Sequence, residues 1–596
     1  MNFSRIKWKT ALALVIMSAT PLVRGGELTA KLIDQGVSVF ADRYPDAALL
    51  EQPIPTPRGE RIGFLAVARL ESGGAVQFHF KSPPKHLDGT EFNGKLNCRE
   101  LIPVHVEGNH QGSKNYPGGA PPPAWRPFLT RQAPFDLLEA IDNEIHESLT
   151  LPPGATGGVF VEIAIPKDAK PGLYYGEMLA TAGAENRSLV YSFEVFPIEI
   201  PGSAKIDSMH WLWIEPENLT TGKAPSYWSE EHWNLLENSG RIMLSSGDNV
   251  LFTPTIFGKV PLIPAVKTPA GYEFDFTRFR RWLNTFSKLG FRGFVGHHLH
   301  SWMLPLNVRD SESGQSRTVE LADPERMRVL EAFLPALNAE LRENGYLKRY
   351  RQHLMDEPKE KEIELYRQYE ALFRRAMPEC QNIDALFRRE VVPMADVAVM
   401  HIQHLRFSQP LNQARRKTGK EFWIYSSCDP RPPFPNRQLD HFPTGNRLYP
   451  LLAIQYDCTG YLNWAANIYR GANEYKSSLG PYPNGSQNPG HPPGDAWFFY
   501  RGPDGLRTGI RMMNFRSGIV DAALLRMLRQ RAPERSAELL QTVYHPEWEL
   551  PDKLGIWADR FAEYTGRAFS TDPGAYHQLR RNALRSLTAT SRERKP

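Results

Sequence analysis

The order of apolar and polar residues changes character near residue 200. Before that point, short stretches alternate with a period of two: Val37-Ser38-Val39-Phe40, Val76-Gln77-Phe78-His79-Phe80 and Val159-Phe160-Val161-Glu162-Ile163-Ala164-Ile165. Alternation of this kind between Pro- and Gly-rich turns predicts strands with one face on a core. Lys170-Pro171-Gly172 reads as a turn into a further strand, and Ser192-Phe193-Glu194-Val195-Phe196 closes the series ahead of a linker at 197–201. Many short strands with regular turn punctuation point to a β-sandwich over residues 26–200.

Beyond residue 201 the pattern alternates between short apolar runs and segments of helical period. Strands are expected at 208–214, 249–252, 293–300, 350–355, 383–387, 396–401, 421–425 and 460–464. Helices are expected at 229–245, 276–289, 324–344, 359–376, 402–416, up to 454, and at 515–530. In the second helix Phe279, Trp282, Leu283 and Phe286 fall on one face, the stripe that an amphipathic helix lays on a core. Eight strands with intervening helices predict a (β/α)8 TIM-like barrel over residues 201–532. A doubly wound open sheet is the alternative, but no Gly-rich phosphate loop follows the first strand. Residues 533–596 read as a helical extension, and its arginines (Arg580, Arg581, Arg585, Arg592, Arg594) read as a solvated face.

The first residues form a separate unit. Arg5, Lys7 and Lys9 precede a short apolar run from Ala11, and small residues Val23 and Gly25 follow. This is the pattern of a cleavable export leader over residues 1–25, which predicts a periplasmic, cell-surface or secreted protein. The apolar run is short for a membrane span, and no later run is long enough. The formal charge of +5 falls to +1 without the leader, which holds Arg5, Lys7, Lys9 and Arg24 and no acid. Such a balance gives no reason to expect a nucleic-acid partner. The chain has four cysteines, Cys98, Cys380, Cys428 and Cys458, none in metal-binding spacing. Cys428 with Cys458 is the pairing to test first, with free buried thiols as the alternative.

The chemistry concentrates where the expected strands end, because barrel active sites sit at the C-terminal ends of the strands. His297, His298 and His300 end the third, Asp356-Glu357-Pro358 the fourth, His401 and His404 follow the sixth, Tyr425 ends the seventh, and Trp464 and Asn467 end the eighth. His300, Tyr425, Trp464 and Asn467 are candidate substrate contacts, Trp464 as an apolar floor under a sugar ring. The histidines lack a carboxylate at metal-ligand spacing, so neither a metal nor another cofactor is expected. Asp356 and Glu357 are the candidate catalytic pair, although a carboxylate before proline also caps helices. Most glycosidases hold two carboxyls across the scissile bond, roughly 5–5.5 or 6.5–9.5 Å apart. Adjacent carboxyls at one strand end suit a reaction in which the substrate's own 2-acetamido oxygen attacks the anomeric carbon.

The Asp356-Glu357-Pro358 block resembles glycoside hydrolase family 123 and the wider group of exported bacterial proteins sharing its catalytic domain. Further matches are Asp275-Phe276-Thr277-Arg278-Phe279, residues 337–358 and 460–467, Gly494-Asp495, Tyr500-Arg501-Gly502-Pro503-Asp504-Gly505, Arg511 and Arg516-Ser517-Gly518, and in the N-terminal region residues 165–176. The resemblance implies a β-N-acetylgalactosaminidase acting on glycans that end in N-acetylhexosamine. It casts Glu357 as general acid/base and Asp356 as the residue that orients the acetamido group. Asp495 comes with it as a further candidate substrate contact. Met513, Ser517 and Val520 stand where the wider group carries acidic residues, which leaves sugar identity open. A glycosidase of other specificity on the same fold and a non-catalytic glycan-binding surface protein are the alternative functions.

Overall fold

The computed structural model describes residues 27–46, 50–108, 123–146, 148–386, 388, 390–402, 405–428, 430, 434–469, 471, 473–478, 492–545 and 569–592. The expected leader, His404, Arg594 and most of the loop before Pro123 lie outside the described residues. Two sheets occupy the N-terminal third. One has the order β1 (Leu28–Asp34), β3 (Arg61–Leu70), β9 (Thr156–Ala164), β6 (Lys95–Val106), β7 (Phe135–Ile141), paired antiparallel throughout. The other has β2 (Ile54–Arg58), β11 (Glu185–Glu199), β10 (Gly172–Ala182), β4 (Gly74–Phe80) and β8 (Ser148–Leu151), with β5 (Lys85–His86) also on β10. The run at 37–40 forms isolated bridges from Phe40 instead of the expected strand.

Alternation along β3 explains why its sequence is apolar almost throughout. Phe64, Ala66 and Ala68 join Phe78, Met178, Tyr191 and Phe193 of the second sheet in one cluster. Leu65 and Val67 face the other way, into a cluster shared with the rest of the molecule. A strand covered on both faces has no need of polar positions.

Eight parallel strands follow in chain order: β12 (Asp207–His210), β13 (Val250–Thr253), β16 (Gly293–Gly296), β19 (Tyr350–Gln352), β20 (Gln381–Ala385), β21 (Val397–His401), β22 (Glu421–Tyr425) and β23 (Gly460–Asn463). The last pairs with the first, giving a nearly closed barrel whose seam lies between β12 and β13. Asn249 bridges the seam: its N–H donates to the Ser208 carbonyl at 3.0 Å, and its Oδ1 accepts from the Ser208 N–H at 3.0 Å. Two hairpins, β14 (Ala265–Thr268) with β15 (Gly271–Phe274) and β17 (Leu306–Asp310) with β18 (Ser316–Val319), form a four-stranded sheet of their own that the sequence reading did not foresee. Helices α1 (Glu230–Ser245), α2 (Thr277–Leu289), α3 (Glu325–Glu343), α4 (Ile363–Ala376), α5 (Leu405–Arg416), α6 (Thr444–Gln455) and α7 (Ile510–Arg529) accompany the barrel strands.

Period two sorts the barrel interior from its outside. Met209, Val250, Phe252, Val295, Ile383, Val397, Val399, Trp423 and Leu462 share an inner cluster. Their neighbours Leu251, Phe294, Ala398, Phe422 and Tyr461 join the helices. The four aromatic and leucine positions of α2 are all buried, and Gly290, at φ +124°, ends that helix by donating to Phe286 and Ser287 carbonyls.

The C-terminal residues correct the reading of a solvated tail in part: Arg585 is exposed, but Arg580 and Arg581 are not. α8 (Pro533–Gln541) and α9 (Pro573–Arg592) complete the chain, and α9 carries buried Arg580 and Arg581. Arg580 pairs with Asp521 at 2.5 Å, Arg581 with Glu51 at 3.1 Å, and His577 with Asp34 at 2.5 Å. Arg447 reaches the other oxygen of Asp521 at 2.7 Å. A guanidinium can be buried when a carboxylate is buried with it. The expected Cys428–Cys458 pairing does not occur. Cys428 follows the C-terminal end of β22 and Cys458 precedes the N-terminal end of β23, at opposite ends of the barrel, and no disulfide joins any of the four cysteines. Among the described residues no helix is long and apolar enough to cross a membrane.

Candidate active site

The fourth barrel strand ends early, and polar side chains steer the chain from there to the carboxylates. Asp384, in the apolar run of β20, accepts the N–H groups of Leu354 and Met355 on Oδ1 at 2.8 and 3.1 Å. Its Oδ2 accepts from the Tyr366 hydroxyl of α4 at 3.0 Å. Gln352 donates to the carbonyls of His297 and His353 at 2.6 and 2.8 Å, tying the ends of strands three and four together. Gly296 is required beside it, since a Cβ there would meet Tyr350 Oη at 1.9 Å.

Glu357 then turns sharply. Its φ is +43°, a left-handed conformation that costs a non-glycine residue about 1–2 kcal/mol. Its N–H donates to the Ala385 carbonyl at 3.1 Å, which holds the turn. The kink breaks the alternation that would send two strand neighbours to opposite faces, and the carboxyls lie close enough for the charge of Glu357 to act on Asp356.

Each carboxyl has a distinct environment. Tyr425 Oη, from the end of β22, donates to Glu357 Oε1 at 2.5 Å. Asp356 Oδ1 lies 3.9 Å from His298 Nε2, and its side chain keeps 27% exposure. Burial raises the Asp356 carboxyl above the usual carboxylate range, and the nearby charges of Glu357 and then Asp384 raise it further. Burial also raises Glu357, against the opposing pull of the Tyr425 hydrogen bond and Lys359. Adjacent carboxyls of this kind titrate as a unit, and together they retain a proton at a pH where isolated ones would lose it. An open surface groove of about 550 Å³ is lined by Lys359, Glu360, Lys361 and Arg388, with neither carboxyl of the pair in its lining.

Against Asp356 lies a layer of buried imidazoles. His298 and His353 stack at 4.2 Å with 26° between their planes, and Trp211 lies edge-on to both. Burial pushes His297 down to about 3 and His298 well below its usual value. His298, His353 and Asp384 come close enough together to be tested as a cation site. Their geometry does not fit one. Imidazole lone pairs lie in the ring plane, so two nearly parallel rings cannot both aim at one ion at the roughly 2.1 Å of a metal–nitrogen bond. Asp384 already accepts three hydrogen bonds.

A family model described as glycoside hydrolase 123, catalytic domain, matches residues 213–528. The chain belongs to glycoside hydrolase family 123. Its fold also matches a solved family 123 glycoside hydrolase from Clostridium perfringens, with a TM-score of 0.71 and 14% identity over 95% of this chain and 99% of that one. A termite-gut family 10 xylanase with a bacterial Ig-like domain (TM-score 0.30, 9% identity, 62% of this chain and 90% of that one) and an endo-1,4-β-mannanase from Rhizomucor miehei (TM-score 0.31, 8% identity, 54% and 96%) are far more distant. No curated protein sequence matches the chain.

In this family 123 hydrolase the expected site residues have different fates. Tyr425 touches Glu357, and His401 lies edge-on against the Tyr425 ring at 5.0 Å. Trp464 is partly exposed, and its carbonyl accepts from Trp213 Nε1 at 3.3 Å. His300 is half-buried, with Nδ1 3.2 Å from the Tyr369 hydroxyl of α4, so its ring is directed to that helix. Asn467 is fully buried and binds backbone at both ends of its amide. Oδ1 accepts from the Trp213 N–H at 2.9 Å, and Nδ2 donates to the Trp213 and Asn218 carbonyls at 2.9 and 3.1 Å. That makes it a brace for the segment after β12 rather than a free sugar contact. Asp495 is buried in a turn whose Gly494 carbonyl accepts from Arg511 at 2.8 Å. Met513, Ser517 and Val520 are buried on α7, where Ser517 Oγ accepts from Gln35 at 2.8 Å. The sequence reading missed Asp384, Gln352 and His353. A carboxylate inside the apolar run Ile383-Asp384-Ala385-Leu386 was the available signal.

Proposed function

We propose that this family 123 hydrolase is exported and removes β-linked N-acetylgalactosamine from glycans by substrate-assisted, retaining hydrolysis. The architecture reads as a (β/α)8 catalytic barrel behind an N-terminal β-sandwich. The export reading rests on the basic and apolar pattern of residues 1–25. The observation that carries the mechanism is the kinked Asp356-Glu357 pair at the end of one strand, with the Tyr425 hydroxyl hydrogen-bonded to Glu357. Carboxyls adjacent in sequence are poorly placed to flank a glycosidic bond from both sides.

The roles of the two carboxyls are taken from the family resemblance, with Glu357 as the acid and Asp356 beside the acetamido group. The acetamido carbonyl oxygen attacks the anomeric carbon as the bond to the leaving oxygen breaks, and protonated Glu357 gives its proton to that oxygen. Asp356 accepts a hydrogen bond from the acetamido N–H and stabilises the positive charge of the oxazolinium ring. Glu357, now anionic, takes a proton from water, which attacks the same carbon and reopens the ring with net retention. The raised carboxyl values suit this exchange, since an acid poised toward neutral pH can donate and recover a proton. Replacing Glu357 by Gln abolishes turnover of aryl 2-acetamido-2-deoxy-β-galactosides in a folded protein. Full activity in that variant, or preference for sugars lacking the acetamido group, overturns the proposal.

A further inference from the structure

Trp302 is 64% exposed, among the most exposed large apolar side chains of the described residues. An indole has much apolar surface to bury, and an isolated exposed apolar residue needs no explanation. The placement of this one is what matters. His300 and Met355 form a parallel bridge, and the His300 N–H donates to the Leu354 carbonyl at 2.9 Å. Trp302 and Glu357 each stand two residues beyond this bridged pair, so the indole lies at the same end of the barrel as the two carboxyls.

The segment that carries it is anchored on both sides. Ser301 is buried and its Oγ accepts the Met303 N–H at 3.0 Å. Met303 and Leu304 pack against the inner barrel cluster. The Pro305 carbonyl accepts from Gly258, and Leu306 bridges to Phe257. Neighbours on either side are thus held while the indole projects from the catalytic end of the barrel. It makes no hydrogen bond or ring contact with a described residue.

Resting on the proposed function above, we infer that Trp302 is the stacking platform for the sugar on the leaving-group side of the scissile bond. The acid that protonates the departing oxygen must stand beside it, and Trp302 lies as many residues beyond the His300–Met355 bridge as Glu357 does, which assigns the ring to the aglycone. Asp356, one residue earlier, attends the acetamido side. Pyranose rings present C–H faces that pack on aromatic rings while their hydroxyls stay in water, which suits an exposed indole.

The test compares two substrates in the full chain: a methyl 2-acetamido-2-deoxy-β-galactoside, whose aglycone is too small to stack, and a disaccharide with the same donor β-linked to galactose. Trp302→Ala lowers kcat/KM about tenfold on the disaccharide, the scale of one aromatic contact, and less than twofold on the methyl glycoside. Trp302→Phe recovers most of the loss. Affinity for a donor-site thiazoline mimic stays at the wild-type value, which separates a stacking role from a folding defect. Equal losses on both substrates, or none on the disaccharide, overturn the inference while the proposed function stands. A wild-type protein that cleaves neither substrate removes the proposed function itself, and the inference with it.

Discussion

The hydrogen bond from Tyr425 to Glu357 gives the account a quantitative handle. Tyr425→Phe removes one oxygen and leaves the buried ring, so the contact with His401 and the inner cluster survive. The hydroxyl lies 2.5 Å from Glu357 Oε1, and a hydrogen bond to a charged group contributes about 1.5–3 kcal/mol. It favours the anion, so it holds the Glu357 carboxyl lower than burial alone would. Its loss therefore raises that carboxyl by about 1–2 pH units, at 1.36 kcal/mol per unit. The first chemical step needs Glu357 protonated, so the alkaline limb of kcat/KM against pH reports the coupled pair that carries this proton in the free enzyme. The variant's alkaline limb moves to higher pH by that amount on an aryl 2-acetamido-β-galactoside. A limb that stays put, or moves to lower pH, refutes the assignment of Glu357 as the acid held by Tyr425.

Three further outcomes follow from the same structure. Asp384→Ala orphans the N–H groups of Leu354 and Met355 and the Tyr366 hydroxyl; it lowers stability by about 2–4 kcal/mol in chemical denaturation and lowers kcat more than it alters KM, and an unchanged kcat contradicts the steering role. Glu162 is raised by burial but pulled further down, to about 2, by Arg516, Arg99 and Arg61. A carboxyl depressed on folding contributes stability above its unfolded value, and that stability is lost as pH falls through the folded one. Denaturation curves should therefore lose about 3 kcal/mol from this group between its ordinary value and pH 2, and Glu162→Gln should flatten that fall. Asp521→Asn leaves Arg447 and Arg580 facing each other in the core without a full counter-charge; a loss of about 3–5 kcal/mol is expected, and unaltered thermal unfolding would contradict the clamp between α7 and α9.

What the sequence disclosed and what it withheld divide along physical lines. The barrel strands and the α2 stripe were legible because burial imposes a period, and Phe279, Trp282, Leu283 and Phe286 obey it. Asp356 and Glu357 stood out only through their place at the end of an expected barrel strand, since acids before a proline by themselves read as a helix cap. Asn467 was misread, since nothing local says whether an amide faces sugar or, as it does, the carbonyls of Trp213 and Asn218 some 250 residues away in the chain. The same distance hid Arg580 and Arg581, whose partners Asp521 and Glu51 no helical period reveals. Trp302 escaped notice because exposure is a property of the assembled surface.

The claim at the centre is that Asp356 serves a nucleophile carried by the substrate. Calorimetric binding of a galactose-configured thiazoline, the stable mimic of the bicyclic intermediate, tests it most directly. Tight binding to the wild-type protein and a loss of about a hundredfold or more in Asp356→Ala, where a charge-assisted hydrogen bond disappears, is the expected result. No binding to the wild type, or equal binding to both proteins, contradicts it.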